Sequence, residues 1–159
     1  MIAIVKAEEE HVTAIGKLWW EFMEIHQQAD AIFTPREGAI PGFPENYLRR
    51  FMRSENGLVL VALDGEKVIG YSLSEIMGPS PGFKREEYGS IDQMAITADY
   101  RKKGIGEKMF AEIMKWFESR NIDRVEIQTA SRNGMANSFW HKLGFEIFQY
   151  NLYKNIQLH

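Results

Sequence analysis

Ser90-Ile91-Asp92-Gln93-Met94-Ala95-Ile96-Thr97, then Ala98-Asp99-Tyr100, then Arg101-Lys102-Lys103-Gly104-Ile105-Gly106-Glu107 is a strand-to-helix passage with three cations and two glycines at the joint. The run Ser90 to Thr97 predicts a strand, with Asp92, Met94 and Ile96 on one face and Gln93 and Ala95 on the other. From Gly104 to about Arg120, Ile105, Met109, Ile113, Trp116 and Phe117 recur at helical spacing and predict a helix with a buried stripe. The first N–H groups of a helix have no partner within it and lie at the positive end of its dipole, so such a joint holds a phosphate on fixed donors. Gly104 and Gly106 let the backbone approach closely, and Arg101, Lys102 and Lys103 add charge attraction. The common nucleotide loops do not fit: Met109 stands where the third glycine of Gly-x-Gly-x-x-Gly belongs, and nothing reads Gly-x-x-x-x-Gly-Lys-Ser/Thr.

Working outward, Ile2-Ala3-Ile4-Val5 reads as a short strand. Glu8 to Gln28 reads as a long amphipathic helix through Val12, Ile15, Leu18, Trp19, Phe22 and Ile25. Leu58 to Leu63, Asp64-Gly65 and Val68 to Ser74 spell a hairpin, because Asp-Gly supplies the positive φ of a tight turn. Val125, Ile127 and Thr129 alternate as a strand, Gly134 to Leu143 reads as a short helix, and Phe145 to Tyr153 as a closing strand. Pro35 to Pro44 and Met77 to Lys84 read as Pro/Gly loops. The order β-α-β-β-β-α-β-α-β predicts an α/β (α+β) fold with a mixed sheet, helices on both faces and the ligand at the carboxyl ends of the strands.

The 159 residues fit one domain, 1–159, that buries roughly two thirds of the surface of the unfolded chain. Nineteen Lys+Arg against 22 Asp+Glu, a net charge of -3, argue against nucleic acid or an anionic membrane as the partner. Without cysteine there is no disulfide framework, thiol nucleophile or thiolate metal site, which is compatible with a reducing cytoplasm. Met1 to Lys6 lacks a signal-peptide layout and no run reaches the ~18 apolar residues of a membrane span, so a soluble, cytoplasmic protein is expected. His11, His26, His141 and His159 are too scattered for a metal site, and none is expected. Gly78-Pro79-Ser80-Pro81-Gly82 matches Gly-x-Ser-x-Gly, but a nucleophile elbow needs the N–H after its serine as an oxyanion donor, and Pro81 has none.

Three features together resemble the GNAT superfamily of acyl-CoA-dependent N-acyltransferases over nearly the whole chain. They are Ile91 to Ile96 followed by Arg101 to Gly106, Asn133-Gly134-Met135-Ala136, and Phe139-Trp140-His141-Lys142-Leu143-Gly144-Phe145. The resemblance implies a central sheet that is mostly antiparallel and acetyl-CoA as co-substrate. Its pyrophosphate would lie on the amides of Lys102 to Glu107, and its pantetheine arm would pair with the backbone of Met94, Ala95 and Ile96, one of whose N–H groups faces the thioester oxygen. Asn133 would hold the arm's amide, and Ala136 and Trp140 would complete the cofactor wall. The implied reaction is direct transfer of an acetyl group to the primary amine of a small molecule or peptide in a ternary complex. Asp92 is then the first candidate for the base, with Glu87 upstream as the alternative, and His26 and Asp30 resemble acceptor contacts. Phe33 to Phe43 would cover the acceptor, and a homodimer is compatible with such a protein.

The chain departs from the family at Trp140, where many relatives carry a tyrosine that protonates the leaving thiolate. An indole N–H is far too weak an acid for that step, so Tyr150, Tyr153 or solvent would supply the proton. The same departure leaves a second reading open, a non-catalytic acyl-CoA-binding module of the same fold.

Overall fold

The computed structural model describes residues 1–36 and 42–158. Residues 37–41, within the expected Pro35 to Pro44 and Phe33 to Phe43 loops, and His159 lie outside them. The chain forms two compact units, Met1–Gln128 and Thr129–His159.

The first unit holds five strands, β1 (Ile2–Lys6), β2 (Gly57–Asp64), β3 (Lys67–Met77), β4 (Tyr88–Ile96) and β5 (Val125–Ile127), in the order β1-β2-β3-β4-β5. Neighbours from β1 to β4 run antiparallel and only β5 runs parallel to its neighbour. A parallel neighbour needs a crossover, and α3 (Ile105–Ser119) is that crossover. The sheet is therefore mixed and mostly antiparallel, as expected.

Both faces of the sheet are covered. Leu58, Val59, Leu60, Val61 and Ala62 are all buried although successive side chains of a strand point to opposite faces. Val59 and Val61, with Tyr71 and Leu73 of β3, meet Val12 and Ile15 of α1 (Val12–Ala29) and Leu48 and Phe51 of α2 (Phe43–Arg53). On the other face α3 packs across β1 to β4 with Ile105, Met109, Ile113 and Phe117 buried at four-residue intervals. A Cβ on Gly89 of β4 would stand 2.6 Å from the Phe117 ring, so the strand carries glycine where the helix presses closest.

The structure corrects the sequence reading in four places. Helix α2 stands where no element was expected; Pro44 lies in its first turn, where a proline's missing N–H costs nothing. The hairpin turn is Gly65-Glu66, one residue later than Asp64-Gly65, with Gly65 at φ 60. Strand β5 ends at Ile127 and omits Thr129. The closing strand Phe145 to Tyr153 is absent: after α4 (Gly134–Lys142) the residues through Leu158 form neither helix nor strand. A strand exists only through a ladder of hydrogen bonds to a neighbouring strand, and among the described residues the sheet pairs no strand with this stretch, whose Phe145 N–H donates to the Trp140 carbonyl at 3.1 Å instead.

Candidate active site

Strand β4 is the axis of the site. It pairs with β3 along its length but with β5 only at Gly89, Ser90 and Ile91, so from Asp92 to Ile96 one edge carries no strand partner among the described residues. Met94, Ala95 and Ile96 lie on this edge. The β3 ladder slips here as well, since Leu73 faces Gln93 and Ser74 faces Ile91. Asp92 is the extra residue of a β-bulge, a device that re-aims a side chain.

The bulge breaks the simple alternation expected for this strand. Asp92 Oδ2 accepts a hydrogen bond from the Tyr47 hydroxyl of α2 at 2.9 Å, and Gln93 Oε1 accepts one from the Tyr71 hydroxyl at 2.8 Å. The Asp92 side chain is exposed. Partial burial, then the neighbouring Asp92 carboxylate, pushes the Tyr47 phenol up to about 12, and burial drives the enclosed Tyr71 phenol well above its usual value. Both phenols stay neutral at physiological pH and serve as hydrogen-bond donors.

Beyond β4 the chain turns through Lys102 at φ 59 and Gly104 at φ 78 into α3. Gly104 is the N-cap and no side chain caps the helix, whose first backbone bond runs from Lys108 N–H to the Gly104 carbonyl at 3.1 Å. The N–H groups of Ile105, Gly106 and Glu107 thus lie ahead of the intrahelical ladder, as an anion site requires. A Cβ on Gly104 would meet nothing within 4 Å, so the approach to these amides is clear. Lys103 Nζ lies 5.4 Å from the Tyr100 ring centroid.

Arg101 is turned toward α1 instead. Its Nε donates to the Ile96 carbonyl at 2.8 Å and its Nη2 to Glu21 Oε1 at 3.3 Å. The Glu21 carboxylate also accepts from the Thr97 hydroxyl at 2.9 Å and from Ala98 N–H at 3.0 Å. Glu21 is therefore a staple from α1 onto the segment that joins β4 to the glycine loop. A small cleft between α1 and the end of β4 is lined by Leu18, Glu21, Phe22, Ala95, Ile96, Thr97 and Arg101.

Of the expected acceptor contacts, His26 Nδ1 lies 3.1 Å from the Phe22 carbonyl, with its ring against Phe22 and Phe33. Asp30 caps a short 3-10 turn, accepting from Ile32 N–H at 3.0 Å. In the second unit, Asn133 Oδ1 accepts from Ala136 N–H at 3.2 Å and caps α4, while Trp140 packs edge-on against Phe139 and Phe145. Tyr150 and Tyr153 are 75% and 76% exposed in the stretch that follows.

Sequence reasoning missed Tyr47 and Glu21. A Tyr47-Leu48-Phe51 helical spacing was there to be read, but no local signal links either residue to β4, 45 and 76 positions further along.

Comparison with known proteins agrees with this geometry. The model of the acetyltransferase (GNAT) family matches residues 12–145. The probable N-acetyltransferase camello of Xenopus tropicalis is 24% identical over 98 residues, 62% of this chain and 42% of its own length. The chain thus spans less than half of that relative. Among solved structures, the mutant BH1408 protein of Bacillus halodurans has a TM-score of 0.88 at 21% identity, covering 98% of this chain and 99% of that one. AAC(6')-Iy in complex with the bisubstrate analog CoA-S-monomethyl-acetylneamine has a TM-score of 0.75 at 12% identity, covering 99% of each chain. These likenesses show the fold, and the family match over most of the sequence shows that the chain belongs to the acetyltransferase (GNAT) family.

Proposed function

We propose that the chain is an acetyl-CoA-dependent N-acetyltransferase that moves the acetyl group to a primary amine of a small molecule or peptide by direct attack in a ternary complex. The observation that carries this reading is the open edge of β4 from Asp92 to Ile96, leading through Gly104 into the uncapped N-terminus of α3. Pyrophosphate lies on the amides of Lys102 to Glu107, with Lys102 and Lys103 supplying charge. The pantetheine arm bonds the backbone of Met94, Ala95 and Ile96.

The amine nitrogen attacks the thioester carbon, the oxygen takes up negative charge facing a backbone N–H of this strand, the now cationic nitrogen gives its second proton to water, and the C–S bond breaks. An alkylamine of pKa ~10.4 must first lose a proton at neutral pH, at about 4 to 5 kcal/mol. Asp92, held by Tyr47, takes that proton; His26 and Asp30 lie on the acceptor side. The departing thiolate, whose thiol has a pKa of ~8.5, is protonated by Tyr150, Tyr153 or water. AAC(6')-Iy is solved in complex with the bisubstrate analog CoA-S-monomethyl-acetylneamine, which supports a small-molecule acceptor here. Trp140 in place of a tyrosine favours the second reading, a binding module without turnover.

Calorimetric titration with acetyl-CoA tests the site. The wild type is expected to bind in the micromolar range, and Gly104→Glu to lose at least ~100-fold, since it adds a carboxylate at the anion site on a backbone at φ 78. Equal binding by both proteins removes the phosphate from this loop. Release of free thiol that depends on an added amine separates the enzyme from the binder.

Arg101 acts here through the loop, not on the phosphate. Glu21→Ala and Arg101→Ala are each expected to weaken acetyl-CoA binding about tenfold, and the double variant by less than the product of the two, because they share one ion pair while each holds the segment by bonds of its own. A much larger loss in Arg101→Ala alone would assign its guanidinium to the ligand.

A further inference from the structure

Helix α2 bears Arg49, Arg50 and Arg53 in its last two turns. Arg49 and Arg53 serve Glu9: Arg49 Nη2 donates to Glu9 Oε1 at 2.6 Å, and the two guanidinium groups hold the Glu9 carboxyl below its usual pKa. Arg50 falls on another face, one turn after Tyr47 and beside Phe51. Its guanidinium carbon lies 5.3 Å from the centroid of the Tyr47 ring and 4.7 Å from that of Phe51. The side chain is exposed, and among the described residues it has no carboxylate within ion-pair distance. Stacking on two rings restricts a guanidinium while leaving its edge donors open, which lowers the ordering cost when an anion binds.

The same tyrosine carries the opposite charge at its other end. Asp92 Oδ2 accepts from the Tyr47 hydroxyl at 2.9 Å. Burial and then Asp92 raise the Tyr47 phenol while Arg50 acts against them, so carboxylate and guanidinium both bear on one hydroxyl. Arg50 and Asp92 are thus joined through the Tyr47 side chain, ring to one and hydroxyl to the other. Their separation is one that an amine and a carboxylate on the same short carbon chain can span.

We infer that Arg50 holds a carboxylate of the acceptor, so that the amines acetylated are those of small amino carboxylates, with the nitrogen toward Asp92 and the carboxylate on the Arg50 guanidinium. The inference rests on the proposed transfer at Asp92 and narrows its acceptor. A guanidinium meets a carboxylate through two parallel N–H donors, which fixes the orientation of the acceptor as well as its charge. A polycationic acceptor is disfavoured, because its second ammonium would meet Arg50 as a like charge.

The test measures thiol release from acetyl-CoA with 4-aminobutyrate against butylamine and 6-aminohexanoate against hexylamine. Each pair differs by the carboxylate, while the amine keeps a pKa near ~10.4. The wild type is expected to favour the amino carboxylate in kcat/KM by about 10- to 100-fold at one or both lengths. Arg50→Ala is expected to bring this ratio to within about threefold of one, and Arg50→Lys, which keeps the charge without the fork, to retain part of it. Because a ratio is read, a general loss from altered packing on Tyr47 and Phe51 cancels. A wild-type ratio near one at both lengths overturns the inference, as does a preference that survives Arg50→Ala. Calorimetry of the same four compounds on the protein saturated with coenzyme A reads the discrimination without turnover. A discrimination abolished by Arg50→Ala, with no thiol release, keeps Arg50 as the carboxylate site and overturns only the transfer. Thiol release without discrimination overturns only the role of Arg50, and the absence of both overturns both.

Discussion

Asp92→Asn is expected to lower kcat for any primary amine the wild type acetylates by about 10²- to 10³-fold, the usual worth of a positioned general base. The asparagine keeps the shape of the side chain and an oxygen to accept the Tyr47 hydroxyl at the bulge, while losing the capacity to take a proton. On the proposed function, acetyl-CoA affinity is expected to stay within about twofold, because the proposed phosphate and pantetheine contacts lie further along β4 and in the glycine loop. Steady-state thiol release, paired with calorimetry, reads both quantities. A loss under tenfold at unchanged affinity moves the base elsewhere, with Glu87 or a water chain as the next candidates. A parallel loss of coenzyme binding would make Asp92 a structural prop of β4. Tyr47, its phenol pushed up to about 12, is too weak an acid to take over proton delivery to the leaving thiolate.

Phe117→Ala is expected to destabilise the fold by about 3–5 kcal/mol, the range for truncating a buried phenylalanine. The ring is 1% exposed and sits over Gly89, where the strand has no side chain to relax into the space left behind. Domains of this kind carry only about 5–15 kcal/mol in all, so the variant should lose about 10 °C or more in its melting midpoint. Urea unfolding should show the midpoint moving with little change in slope. A shift below about 1 kcal/mol would mean that α3 is not anchored at this ring. On the proposed function, acetyl-CoA at 100 times its Kd returns about 2.7 kcal/mol, because it binds only the folded N-terminus of the same helix.

The parts of the fold legible in the sequence were those fixed by local periodicity: α1, the β2-β3 hairpin, β4 and α3, each with a repeat or a turn signal of its own. Helix α2 was hidden by Pro44, which reads as a breaker unless it falls in the first turn of a helix. The stretch Phe145 to Tyr153 has a strand's alternation, but alternation says only what a segment would do beside an edge. The site divides in the same way. Glycines and cations at the start of α3 are neighbours in sequence and could be found there. The Tyr47–Asp92 bond and the grip of Glu21 on Thr97, Ala98 and Arg101 join residues 45 to 80 positions apart, and only the folded sheet brings them together.

The bulge at Asp92 sets one requirement of the strand's regularity against one of its use. Removing that single residue would let β3 and β4 zip in continuous register from Met77 to Gly70, making a more regular ladder around Ser72, Leu73 and Ser74. The shortened protein should be at least as good a sheet, and it would have no carboxylate at the mouth of the open edge. Selection for stability alone would erase the irregularity, so its presence marks a position where the chain tolerates an imperfect ladder in exchange for reach.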